Sequence, residues 1–123
     1  MVKKELTIAS AMMFIFVLFG AMGKHGLEAR GFLNLDTFET GLRYHGIHAI
    51  CLFLICIFQE LGWLKRFFTI YAMVLLGIFC FSFSLYAYVL TGYKGFVWIT
   101  PIGGMVWLCA WLLLAWDISK KGR

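Results

Sequence analysis

Leu52-Phe53-Leu54-Ile55-Cys56-Ile57-Phe58 carries an apolar side chain at every position, odd and even alike, so the segment has no polar face. A membrane-spanning strand alternates polar and apolar residues over about ten positions. No such alternation exists here or in residues 12–19, Met-Met-Phe-Ile-Phe-Val-Leu-Phe. A helix satisfies its backbone N–H and C=O groups within itself, as lipid requires of anything that crosses it. Working outward, this run belongs to one of four long apolar stretches that fill most of the 123 residues. Hydrophobic residues make up 63% of the chain and charged ones 14%, against roughly 45–50% and about 25% in soluble domains. One crossing takes about 20 helical residues, so four crossings use up nearly the whole length. The expectation is an all-α fold: a single integral-membrane four-helix bundle over residues 1–123, without a soluble appendage.

Local signals place the helices at about 6–26, 37–60, 67–90 and 100–117. Lys3 and Lys4 precede the first, and Gly23-Lys24-His25-Gly26 closes it. That run also resembles a signal peptide with Ala21-Met22-Gly23 as a cleavage site, but its length and the three spans that follow favour retention as a helix. Asp36 is placed to cap the second helix, with Glu39 completing a capping box. Thr91-Gly92 ends the third, and Thr100-Pro101 supplies a cap and a first-turn proline for the fourth. No internal repeat is convincing, so an inverted-repeat transporter is not indicated.

The net charge of +5 is confined to the ends of the apolar runs, where it sets topology and meets lipid headgroups instead of nucleic acid. Alternating helices put Lys3, Lys4, Lys65, Arg66, Lys120, Lys121 and Arg123 on one side and Lys24, Arg30, Arg43 and Lys94 on the other. Seven against four predicts both termini in the cytoplasm. Trp63 and Trp116 then fall at the inner interface, with Tyr88, Tyr93 and Trp98 at the outer one. Cys51, Cys56, Cys80 and Cys109 lie inside apolar runs without C-x-x-C spacing and read as packing residues.

By depth, the polar side chains gather in the outer leaflet: His25, then Tyr44, His45 and His48, then Ser82, Ser84 and Tyr86, then Thr100. Thr37, Thr40, Gly41, Tyr44, His45 and His48 form one stripe of the second helix, and Glu39 pairs with Arg43 four residues on. His45 and His48, three apart, are spaced to approach one metal or cofactor, with His25 as a third ligand. The same histidines suit interhelical hydrogen bonds or a proton relay. Neither the metal nor any cofactor is identified by the residues. Gly20, Gly23, Gly77, Gly103 and Gly104 are expected to let helix backbones approach closely. No nucleophile elbow, H-E-x-x-H pair or paired intramembrane carboxylate is present, which disfavours an intramembrane hydrolase.

Four motifs recur in order: Gly20-Ala21-Met22-Gly23-Lys24-His25-Gly26-Leu27; Thr40 with Tyr44 and His48-Ala49; Phe81-Ser82-Phe83-Ser84-Leu85-Tyr86 with Thr91-Gly92; and Thr100-Pro101-Ile102-Gly103-Gly104. Together they resemble the family catalogued as domain of unknown function 423, to which animal transmembrane protein 256 also looks related. Lys24 departs from the family, which more often has alanine there. The resemblance implies a four-helix bundle in the bacterial cytoplasmic membrane and brings no activity with it. The function expected is that of a non-enzymatic accessory, assembly or self-associating protein, with the lipid bilayer, a membrane-protein partner or a homo-oligomer as its company. The alternative is a small ligand, metal, haem or ion site built from His25, Tyr44, His45, His48, Ser84 and Thr100.

Overall fold

All four apolar runs are helical in the computed structural model, which describes residues 2–121. Arg123, one of the cations counted for the cytoplasmic side, lies outside that range. α1 spans Lys3–Ala29 and α2 Leu35–Glu60. The third crossing, Phe67–Thr91, is composite: α3 (Phe67–Gly77), a π-helical stretch Ile78–Phe83, and α4 (Ser84–Thr91). A 3-10 turn, Lys94–Trp98, leads into α5, Thr100–Ser119. Among the described residues there is no strand, and four helices are long and apolar enough to cross a membrane.

The helix ends explain where the chain turns. α1 continues past the expected stop near Gly26, because Gly23 takes φ +54° and breaks the helix direction without ending it. Only glycine adopts that backbone without a side-chain penalty. α1 then closes in a Schellman turn in which the Gly31 amide bonds to the Glu28 carbonyl and the Phe32 amide to the Leu27 carbonyl. α2 closes the same way at Gly62, with Gly62 to Gln59 and Trp63 to Phe58.

Two expected caps are corrected. Asp36 does not cap α2, which starts at Leu35 behind a left-handed Asn34 with no side-chain cap. The Asp36 and Glu39 carboxylates instead meet Lys24 of α1, at 3.3 and 3.9 Å, so Glu39 closes no capping box and its ion partner is Lys24 rather than Arg43. Thr100 is not a cap either; its hydroxyl lies 2.6 Å from that of Ser84.

α2 is the hub of the bundle. It packs against α1 on one side and against α3, the π stretch and α4 on the other, while α5 packs on α3 and the π stretch. Half of the most apolar window of α2 is buried, against 11% of that of α1. Leu52, Ile55, Ile70 and Ile78 are sealed in the main core. A smaller cluster of Leu27, Phe38, Tyr86 and Val89 closes the end nearer the α1–α2 turn. Phe14 and Val17 on α1, and Met105, Leu108 and Leu112 on α5, are exposed apolar side chains, as expected of surfaces solvated by lipid tails.

Close approach of backbones occurs at particular glycines. A Cβ on Gly77 would overlap the Trp107 indole, and one on Gly103 would stand 2.5 Å from the Phe81 amide nitrogen. Gly41 and Gly46 do the same work for α2: Gly41 faces the Ser82 carbonyl, and Gly46 receives the Phe16 ring. Gly20 and Gly104 have ordinary clearances of 3.9 and 3.7 Å to side-chain atoms of Leu42 and Phe81, and Gly23 has no neighbour within 4 Å, so its contribution is conformational. Gly41 from α2 and Gly103 from α5 therefore grip the π stretch from both sides. Extra donors reach its two ends: the Trp107 indole N–H donates to the Val74 carbonyl at 3.0 Å, and the Ser84 hydroxyl to the Phe81 carbonyl at 2.8 Å.

At the opposite end of the bundle, Asp117 in the last turn of α5 is 3% exposed. One carboxylate oxygen accepts the Lys65 and Arg66 amides at 2.9 and 2.7 Å, and the other accepts the Arg66 guanidinium at 2.6 Å. These bonds hold Lys65 and Arg66, the two residues just ahead of α3, to the end of α5. The Lys121 ammonium donates to the Leu61 and Gly62 carbonyls at 3.4 and 3.3 Å, so α5 finishes both sides of the α2–α3 turn.

Asp117→Ala is expected to cost about 1–3 kcal/mol, because it leaves the Lys65 and Arg66 amides and the Arg66 guanidinium without their buried acceptor. The thermal unfolding midpoint in detergent reads this out, and an unchanged midpoint refutes the anchoring. Gly103→Ala should prevent accumulation of folded protein while Gly104→Ala is tolerated, as measured by membrane yield and detergent stability.

Candidate functional site

Residues three apart on a helix differ by about 60° around its axis. On a helix as enclosed as α2, that rotation sends His45 and His48 into different seams. His45 is fully buried and points toward α1 and α4. Its Nε2 lies 2.9 Å from the Met12 carbonyl and its Nδ1 2.9 Å from the Tyr86 hydroxyl. A carbonyl only accepts, so Nε2 carries the proton, and the neutral ring leaves Nδ1 to accept from Tyr86. Aromatic rings fix the pair. Phe16, seated in the Gly46 notch, and Phe83 meet the imidazole edge-on at 5.9 and 5.5 Å, while Phe19 and Phe38 flank Tyr86 at 4.8 and 5.3 Å.

His48 points toward α5. Its ring stacks on the Trp107 indole with centroids 3.6 Å apart and planes 4° from parallel. Its Nδ1 lies 2.8 Å from the Tyr44 carbonyl, and its Nε2 accepts the Trp111 indole N–H at 3.2 Å. The same reasoning puts the proton on Nδ1, so the two histidines are opposite tautomers. All four ring nitrogens are engaged within the chain.

The other sequence candidates are dispersed. His25, beyond the Gly23 break, has a side chain that is 98% exposed, and its Nδ1 is 3.9 Å from a Glu28 oxygen. This corrects the expectation of a third ligand: Gly23 turns the end of α1 away from the two seams. Tyr44 contributes its carbonyl, while its half-exposed ring leans on Phe81 and Trp107 at 5.0 and 6.1 Å. Ser84 and Thr100 bond to each other beside the π stretch, apart from either histidine network. Among the described residues no three His, Cys, Asp or Glu side chains gather as a metal site. No cofactor is indicated by the arrangement, and a metal at His45 or His48 would have to displace Tyr86 or Trp111.

Trp107 and Trp111 are functional-looking residues that spacing alone does not single out. They stand four apart and so share a face of α5, which was the available signal. Ser82 is also buried, and its hydroxyl has no hydrogen-bond partner among the described residues. Elsewhere in this chain helical hydroxyls bond back four residues, as Thr7, Ser10, Thr40 and Thr91 do. Ser82 sits in the π stretch, where the wider turn displaces that carbonyl. The turn between α1 and α2 holds an open recess of about 700 Å³ bordered by Lys24, Glu28, Asn34 and Asp36, where Lys24 is already paired with Asp36.

The chain is similar to known proteins over most of its length. A family model described as Protein of unknown function (DUF423) matches residues 19–104. The UPF0382 membrane protein of Haemophilus influenzae is 36% identical over 125 residues, covering 98% of each chain. The UPF0382 inner membrane protein YgdD of Escherichia coli K12 is 30% identical over 95% of this chain and 92% of its own. The UPF0382 membrane protein YwdK of Bacillus subtilis is 33% identical over 77% of this chain and 79% of its own. No solved structure matches.

Nitrogen-15 spectra of labelled protein should show His45 protonated on Nε2 and His48 on Nδ1; a shared tautomer refutes the bonding assigned to one of them. Tyr86→Phe removes only a hydroxyl and leaves the His45 Nδ1 without a donor. It should lower stability in detergent by about 1–3 kcal/mol, and a melting curve that does not move argues against the bond.

Proposed function

This chain belongs to the DUF423 family, whose members include bacterial inner-membrane proteins, and we propose that it acts in that membrane without catalysing a reaction, by associating with a partner membrane protein or with copies of itself. The observation that carries this reading is the saturation of His45 and His48. The buried imidazoles, the groups best suited to ligand or proton chemistry, spend all four ring nitrogens on Met12, Tyr86, Tyr44 and Trp111. Their chemistry is that of stitches between helices, each worth about 0.6–2 kcal/mol in a membrane.

The surface of α1 supports association. α2 is its main neighbour in the bundle, and Phe14, Val17 and Leu18 stand exposed beside the small residues Gly20 and Ala21. In this reading the whole chain is one unit, with both termini in the cytoplasm. The described cations Lys3, Lys4, Lys65, Arg66, Lys120 and Lys121 then share the inner face, in keeping with the preference of short cytoplasmic segments for Lys and Arg.

Extraction in a mild detergent should yield a defined assembly heavier than the 14.1 kDa chain, and Gly20→Leu with Val17→Trp on α1 should shift its size while sparing insertion. A monomer, both in detergent and by crosslinking in native membranes, overturns the reading. For orientation, Lys65→Cys in a background lacking the native cysteines should react with an impermeant thiol reagent only after the membrane is opened. Labelling in intact cells reverses the assignment.

A further inference from the structure

We infer that the end of the bundle bearing Lys65 and Arg66 is a docking surface for the phosphate-bearing headgroup of an anionic phospholipid. At this end six described cations, Lys3, Lys4, Lys65, Arg66, Lys120 and Lys121, face three carboxylates, Glu5, Glu60 and Asp117. At the other end four cations face three carboxylates, with Lys24 lying between Asp36 and Glu39. Of the six, only Arg66 comes within 4 Å of a carboxylate among the described residues, and that carboxylate is the buried Asp117. Lys120 lies 4.7 Å above the Trp116 ring, and Lys121 is spent on backbone carbonyls. Among the described residues the Lys65 ammonium has no hydrogen-bond or ion-pair partner.

The excess charge borders a built recess. About 320 Å³ of open recess is bordered by Gln59, Lys65, Arg66, Phe67, Phe68 and Thr69. Asp117 has already taken the amides of Lys65 and Arg66, so what the recess offers an anion is the Lys65 ammonium and the outward half of the Arg66 guanidinium. That guanidinium is held in place from behind by its 2.6 Å bond to Asp117, and its side chain remains 49% exposed. Phe68, 72% exposed, stands beside these charges where the third crossing begins. Cations on one side and an exposed phenyl ring on the other match a molecule that is anionic at one end and hydrocarbon at the other. A free phosphate would use only the first half.

This inference is independent of whether the bundle associates. Native mass spectrometry of the full-length protein, titrated with phosphatidylglycerol or phosphatidylcholine, tests it. Phosphatidylglycerol should be retained preferentially, and inorganic phosphate should not displace it. Lys65→Gln should weaken retention roughly fivefold, the effect of removing about 1 kcal/mol for one basic residue near a charged membrane surface, while Lys94→Gln at the opposite end leaves it unchanged. Lys65 is exposed and its bond to Asp117 uses the backbone amide, which the glutamine keeps, so the replacement should leave the melting midpoint unchanged. Equal retention of the two lipids, displacement by inorganic phosphate, or unaltered retention in Lys65→Gln would each overturn the proposal.

Discussion

Hydrocarbon offers no hydrogen bonds, and the interior of this bundle is organised around that lack. Two imidazoles, two buried phenols and two indoles lie within the apolar spans and each bonds to a neighbouring helix, while hydroxyls such as Thr7, Ser10, Thr40 and Thr91 bond back within their own. His45 ties α2 to the Met12 carbonyl of α1 and to Tyr86 of α4, while His48 ties it to α5 through Trp111. Apolar contacts alone discriminate poorly between one helix arrangement and another in lipid, because tails are as greasy as leucine. Directional bonds from α2 supply the register that burial cannot. They do so without charge, since each ring is a neutral tautomer matched to one carbonyl and one O–H or N–H donor.

The same constraint accounts for the π stretch. Inserting an extra residue per turn disturbs the backbone ladder at Ile78–Phe83, and lipid would not repair it. Additional donors flank it: Trp107 donates to the Val74 carbonyl just before it, and Ser84, itself paired with Thr100, to the Phe81 carbonyl within it. Both groups get close enough only because Gly77 and Gly103 lack side chains. The buried Ser82 hydroxyl has no hydrogen-bond partner among the described residues.

What the sequence shows and what it hides divide along physical lines. Runs such as residues 52–58 announce spanning helices because length and apolarity are properties of the chain itself. Gly62 and Gly92 mark turns for the same local reason. The expected caps fail because their side chains find partners on other elements: Asp36 and Glu39 are drawn to Lys24 of α1, and Thr100 to Ser84 of α4; the approach to α3 is held by Asp117, some fifty positions along. A hint existed, since an acid in a final helical turn opposes the helix dipole and invites a partner beyond its own helix. For the candidate site, sequence spacing does not give azimuth across helices. The outer-leaflet grouping of His25, His45 and His48 treated them as one cluster, whereas the rotation between His45 and His48 and the bend at Gly23 send them three different ways.

The anchoring of the α2–α3 turn from α5 has a consequence for biogenesis. Ribosomes deliver α2, the turn and α3 well before Asp117 and Lys121 exist, so the hairpin enters the bilayer with the start of α3 and the end of α2 still hydrated at the surface. Its final seating waits for the last span, whose arrival latches the earlier pair in place.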